Sequence, residues 1–185
     1  MKLIRRPWIW AVRFRHRRGD GVHSPFAFAF IKGVLFEQTA YYAYAPLALL
    51  HPWWVRWGRL YPMQCRRLLF RLANYVHPTT LNIIGCGATE TTYITTAVPN
   101  ARQVDGAADF VFIGNTHLET AQALLPQMPP DGMMVLEGIH RNAITRQQWK
   151  SIQRSAHTGI TFDLYDYGIA FFNHHLYKQH YIINF

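Results

Sequence analysis

From Thr80 to the C-terminus, short apolar runs alternate with stretches of helical periodicity, and few architectures other than a parallel α/β sheet accommodate that alternation. The runs are Leu81 to Ile84, Asp109 to Ile113, Met133 to Leu136, Ile160 to Tyr165 and Gly168 to Phe172. Helices fit the intervals 89–97, 117–127 and 142–154. Only Asp166-Tyr167 joins the last two runs, and so short a link makes an antiparallel hairpin. The expected sheet is therefore mostly parallel and ends in a hairpin.

The first 78 residues read differently. Residues 2–17 and 25–36 have amphipathic helical patterns, with Ser24-Pro25 supplying an N-cap and a first-turn proline to the second. In 63–76, Leu68, Leu69, Leu72, Ala73 and Val76 form one stripe, while Arg66, Arg67 and Arg71 read as the other side. Gln38 to Val55 carries no charged residue, but Pro46, His51 and Pro52 favour a buried helix followed by a turn over a membrane span. The expected organisation is one compact unit: a basic, aromatic-rich helical extension over 1–78 packed on an α/β core over 79–185.

Charge follows the same division. Residues 1–77 hold thirteen of the nineteen Lys and Arg against only Asp20 and Glu37, a local charge of +11, whereas the rest carries −2. Arg5, Arg6, Arg13, Arg15, Arg17 and Arg18, interleaved with Trp8, Trp10 and Phe14, suit an anionic membrane surface, nucleic acid or another polyanion; a solvated helix face accounts for them equally simply. Cys65 and Cys86 have neither disulfide nor metal-ligand spacing, so no metal site is expected, and a reducing, cytoplasmic setting is, with membrane association left open to the basic arm. The N-terminal apolar run breaks at Arg13 without a cleavage site and reads as no export signal.

Several segments, in this order and spacing, resemble a group of bacterial S-adenosylmethionine (SAM)-dependent methyltransferase-like proteins: HRRGDGVHSPFAF, LLFRLANYVHPTTLNIIGCG, DFVFIGNTH, MMVLEGIH and TFDLYDYGIAFFNHHLYKQHYIINF. The resemblance spans nearly the whole chain. It implies a Rossmann-like sheet with SAM across the carboxyl ends of the first strands, and Gly85, Cys86 and Gly87 as the cofactor loop. It also marks the turn around His23 as a family feature.

Against that pattern the chain is eroded. Ile83, or Asn82 in a shifted register, replaces the acid that would hold the SAM amino group, and Thr89 replaces a later glycine. A second strand would end in an acid for the ribose, which Gln103-Val104-Asp105 superficially offers, yet only Gly106-Ala107-Ala108 separates Asp105 from the next run. A parallel strand needs a return path, usually of about a dozen residues or more. The spacing therefore predicts a return loop over 98–108, absence of the second and third family strands, and Asp109 to Ile113 paired directly beside Leu81 to Ile84. Asp105 would then lie at the amino end of the sheet, away from any ribose.

On the catalytic side, Gly114-Asn115-Thr116-His117 lacks the family's preceding Asp, and Glu137-Gly138-Ile139-His140 lacks its paired acids. Glu137 with His117 or His140 is the candidate acid/base pair; the alternative is loop polar groups that cap helices or face solvent. His174, His175 and His180 follow the last hairpin and read as surface or edge residues. Three functions stay open. One is a degenerate methyltransferase-like binding or scaffolding module, with cofactor binding weakened or lost and self-association through an exposed sheet edge. A second is an active SAM-dependent methyltransferase for an unidentified small molecule. The third assigns the function to the basic N-terminal arm.

Overall fold

The computed structural model describes residues 22, 24–51, 61–173 and 175–185. The helix expected over 2–17, the arginine arm, His23 and His174 lie outside them. The strands are β1 (Thr80–Ile84), β2 (Arg102–Gln103), β3 (Phe110–Ile113), β4 (Met133–Glu137), β5 (Thr161–Asp163), β6 (Tyr167–Phe171) and β7 (His180–Ile182). The helices are α1 (Pro25–Phe30), continuing as a π-helical turn over Ile31–Leu35, α2 (Tyr44–Ala48), α3 (Tyr61–Val76), α4 (Ala88–Ala97), α5 (Thr120–Leu124) and α6 (Ala143–Arg154).

All seven strands form one sheet in the order β2-β1-β3-β4-β6-β5-β7. Only β6 runs against the others, pairing antiparallel with β4 and β5. Every residue of β3 and β6 is buried, as strands covered on both faces must be, which explains why these runs are continuously apolar instead of alternating. One face, with Leu81, Phe110, Phe112, Val135, Phe162 and Ile169, packs under α1, α3 and α4. The other, with Val111, Ile113, Met134, Leu136 and Ala170, packs under α5 and α6. Asn142 opens α6 with a capping box, accepting from the Thr145 amide at 2.8 Å.

The crossing from β2 to β3 departs from the sequence reading. Asp109 to Ile113 does lie beside β1, with Leu81 opposite Phe110 and Ile84 opposite Ile113. Residues 98–108, however, are not wholly loop: Arg102 and Gln103 pair parallel with Thr80 and Leu81 on the outer edge of β1. Both strands coexist because β2 is only two residues long, so little return path is needed. The chain then turns over the second face of β1, where Val104, Ala107 and Ala108 join the apolar core. The Asn82 side chain donates to the Gly106 carbonyl at 2.5 Å and pins that turn. Asp105 lies two residues past the Leu81–Gln103 pair and is exposed. Among the described residues it makes no hydrogen bond to the Gly85-Cys86-Gly87 loop.

Three further elements differ from expectation. Among the described residues of the uncharged stretch, helix is confined to α2, and that turn is not buried all round: Tyr44, Leu47 and His51 face inward while Tyr42, Leu49 and Leu50 face out. Arg71 belongs to the buried side of α3, donating to the carbonyls of Val34 (2.7 Å) and Leu35 (2.9 Å). Those carbonyls end a helix and would otherwise lack partners, so a guanidinium replaces water there. After the hairpin, β7 adds an edge strand parallel to β5, with His180 exposed.

Phe30 ties the N-terminal helices to the sheet. It is 1% exposed and meets Phe162 and Phe171 at ring-centroid distances of 4.9 and 5.0 Å, with Tyr75 of α3 at 5.3 Å. Phe30→Ala is expected to lower stability by about 3–5 kcal/mol, read as a fall in the urea midpoint at unchanged slope.

Asp109 braces the amino end of β3 against β1, accepting from the Thr79 hydroxyl (2.7 Å) and from the amides of Thr79 and Thr80 (both 2.9 Å). Partial burial pushes its pKa up, but these hydrogen bonds outweigh that and hold it below the ordinary 3.8. Because the folded value is the lower one, the stability Asp109 adds is present above 3.8 and is lost as pH falls through the folded value. Asp109→Asn should flatten that acid limb in stability measured from pH 5 to about 2.

Candidate functional site

The parallel strands all point their carboxyl ends to one edge of the sheet. β1 leads outward through α4 to β2, whereas β3 leads the other way through α5 to β4. The loops after β1 and β3 therefore diverge, which is where an open α/β sheet usually has its ligand crevice. Gly85, Cys86 and Gly87 follow β1; Gly114 to His117 follow β3; Glu137 ends β4, with Gly138 to Asn142 beyond it; Asp163 ends β5.

In this protein a side chain of the chain itself occupies part of that crevice, while Gly85 and Gly87 stay exposed. Gly85 has a φ of 63°, the left-handed region in which a side chain is strained. A Cβ there would lie 2.2 Å from Cδ2 of His117, so the imidazole rests directly on the glycine backbone. A Cβ on Gly114 would lie 2.0 Å from the Gly85 carbonyl oxygen, and the Gly114 amide donates to the Ile84 carbonyl at 2.8 Å. The two loops are thus in backbone contact, and His117, itself exposed, covers their junction.

The start of α4 is also engaged. The Glu90 carboxylate turns back over Gly87, whose Cβ would meet Oε2 at 2.7 Å, and accepts from Arg66 Nε at 2.7 Å. Arg66 Nη1 lies 3.0 Å from Nδ1 of His51, whose Nε2 lies 2.9 Å from the Tyr93 hydroxyl. Burial first, then the Arg66 charge, lowers the His51 pKa. Cys86 is pushed up to about 11, mainly by burial, with Glu90 and Glu137 adding to the rise against a hydrogen bond with Thr91. Its thiol stays protonated near neutral pH and is no nucleophile there.

The remaining candidates sort into two groups. Asn115 Nδ2 lies 3.4 Å from Glu137 Oε2, and Arg141 donates to Asn115 Oδ1, which ties the loop after β4 to the loop after β3. Further along the edge, His140 Nε2 lies 2.6 Å from Asp163 Oδ2. The same oxygen accepts from Trp149 Nε1 at 3.2 Å, while Oδ1 accepts from the Tyr165 amide at 2.9 Å. An acceptor carboxylate requires the proton on Nε2 of His140, and the Tyr165 ring stacks on the imidazole at 5.2 Å. His140 is thereby held in one orientation by a buried acid, and His117 is placed on Gly85.

Asp163 and Glu90 were not singled out from the sequence. Asp163 had one visible signal, an acid ending the apolar run Thr161-Phe162. Glu90 had another, an acid in the first turn of the helix after the glycines. Among the described residues no group of three or more His, Cys, Asp or Glu side chains could hold a metal ion.

No protein-family model matches the chain, and no curated protein sequence does. Among solved structures, the crystal structure of cofactor-bound Rv0187 from MTB is similar with a TM-score of 0.49 and 14% identity, covering 80% of this chain and 97% of that one.

The contact between His117 and Gly85 is open to a double-mutant test. Gly85→Ala should cost about 1–2 kcal/mol for the left-handed backbone, plus the clash with the ring. In a His117→Ala background only the backbone part should remain, as read by chemical denaturation. Equal costs in both backgrounds would show that the ring does not sit on Gly85.

Proposed function

We propose that this chain is a methyltransferase-like protein with a Rossmann-like sheet whose SAM site has eroded, and that it works as a binding or scaffolding module. The observation that carries the reading is the His117 imidazole resting on Gly85 at the junction of the loops after β1 and β3. A cofactor loop uses glycine so that a ligand can approach its backbone, and here a side chain of the protein already makes that approach. Ile83, or Asn82 in a shifted register, stands where the resemblance would need an acid for the amino group of SAM. Asp105, two residues past β2, makes no hydrogen bond to the glycine loop among the described residues. The residues present do not fit SAM.

The second reading, an active SAM-dependent small-molecule methyltransferase, is favoured by one observation: the His140 imidazole held by buried Asp163 at the carboxyl edge. A histidine oriented by a carboxylate suits acid/base work on an acceptor. Titration calorimetry and thermal shift with SAM and S-adenosylhomocysteine separate the two. The eroded reading expects neither heat nor a rise in Tm at about 1 mM ligand. Binding in the micromolar range would overturn it in favour of the enzyme.

A further inference from the structure

Helix α6 divides into two faces. Trp149 and Ile152 are buried against the second face of the sheet. Arg146, Lys150 and Arg154 recur every four residues and are all exposed, so their cations form one line along the helix at steps of about 6 Å. Such a line costs the helix stability, because like charges four residues apart repel.

Nothing around α6 offsets that repulsion. Its first turn has no acid, and no Asp or Glu occurs from Gly138 to Phe162. The other helix on this face, α5, carries no charge. The ion pairs of Arg66 with Glu90 and of His140 with Asp163 lie elsewhere and involve none of the three cations. Arg146 stands near the positive end of the helix dipole, where an acid is favourable and a cation is not, so the dipole accounts for Arg154 alone. The line therefore suits a polyanion from outside the chain.

Its C-terminal end says which kind. Lys178 Nζ donates to the Ser155 carbonyl at the end of α6, which brings the loop before β7 alongside the helix, and next to it the Tyr177 ring is 90% exposed. Cations in a row with an aromatic ring held in solvent match single-stranded nucleic acid, whose phosphates meet the cations while an unpaired base lies on the ring. A lipid surface is a poorer match, because Trp149 and Ile152 are in the core and Ile144 is the one large apolar side chain that α6 exposes.

We propose that the outer face of α6, with Tyr177 at its C-terminal end, binds single-stranded nucleic acid, with Arg146, Lys150 and Arg154 tracking the phosphates and Tyr177 stacking on a base. The site is indifferent to sequence, since it meets only the backbone and a ring face that every base has. It is a separate surface from the Gly85-Cys86-Gly87 loop and does not depend on whether SAM is held.

Fluorescence anisotropy of the full chain with labelled oligo(dT) and oligo(U) of about 20 nucleotides tests this. Micromolar binding to either is expected, the tighter of the two telling DNA from RNA. Arg146→Gln, Lys150→Gln and Arg154→Gln combined should weaken binding about tenfold at an unchanged thermal melt and lower the slope of log K against log salt by about two, since each single-strand phosphate contact contributes about 0.7. Should that variant fail to fold, Lys150→Gln alone should lower the slope by about 0.7. Tyr177→Ala should weaken binding about fivefold at an unchanged slope, which loss of charge would not do. A glutamine variant that binds with the affinity and slope of the wild type overturns the proposal, since the N-terminal arginines would then account for binding. A Tyr177→Ala variant of unchanged affinity overturns it too. So does a wild-type chain that ignores both oligonucleotides, including one that instead binds anionic vesicles through the same three cations.

Discussion

The shape of the carboxyl edge depends on how little chain separates Gln103 from Phe110. Six residues must leave the outer side of β1, cross its face and enter β3 on the inner side. A long second strand would make that path impossible, so pairing stops after two residues and the crossing turn takes over the surface that a packed element would otherwise cover. Asn82, a buried amide in the middle of an apolar strand, is intelligible only in this light: its side chain satisfies the Gly106 carbonyl as the turn passes over. An apolar residue there would leave that carbonyl without its amide donor.

The junction of the two loops is built from the chain's own groups. Gly114 lets the second loop come within contact of the first, the left-handed Gly85 turns the chain away from its strand, and His117 covers the join. Glu90 meets the positive end of α4 and is in turn held by Arg66. Groups that in a ligand-binding sheet would wait for a partner from solution have partners within the chain.

How much of this was legible in the sequence depended on where burial enforces a pattern. β3, β4 and β6 were readable because strands enclosed on both faces admit only apolar residues. α6 was readable because its cap lies next to its stripe. β2 was not: the short path from Gln103 to the next run argued against a full strand, and two exposed residues of backbone pairing leave no pattern of their own. β7 was missed for want of such a pattern; it is held by its ladder to β5 and by His180 Nδ1 at 2.7 Å from the Thr161 hydroxyl. Arg71 defeated periodicity because a guanidinium can be buried when carbonyls await it. At the site, the glycines and histidines stood out as residue types. Their pairings did not: His140 with Asp163 and His117 with Gly85 join positions more than twenty residues apart, and only the fold brings them together.

The side chains running from Glu90 to Tyr93 by way of Arg66 and His51 have one further property. A guanidinium can only donate, so Nδ1 of His51 must accept and Nε2 must carry the proton. The Tyr93 oxygen then accepts from His51, leaving its own hydrogen for the Leu47 carbonyl, 3.4 Å away. From Arg66 onward every hydrogen bond thus points the same way, from the cation on α3 to the backbone of α2. Such a one-way chain polarises each member in the sense that strengthens the next. It also makes the histidine's neutral form a requirement of its neighbours: a second proton on the ring would confront Arg66 donor to donor and reverse the grammar of the whole line.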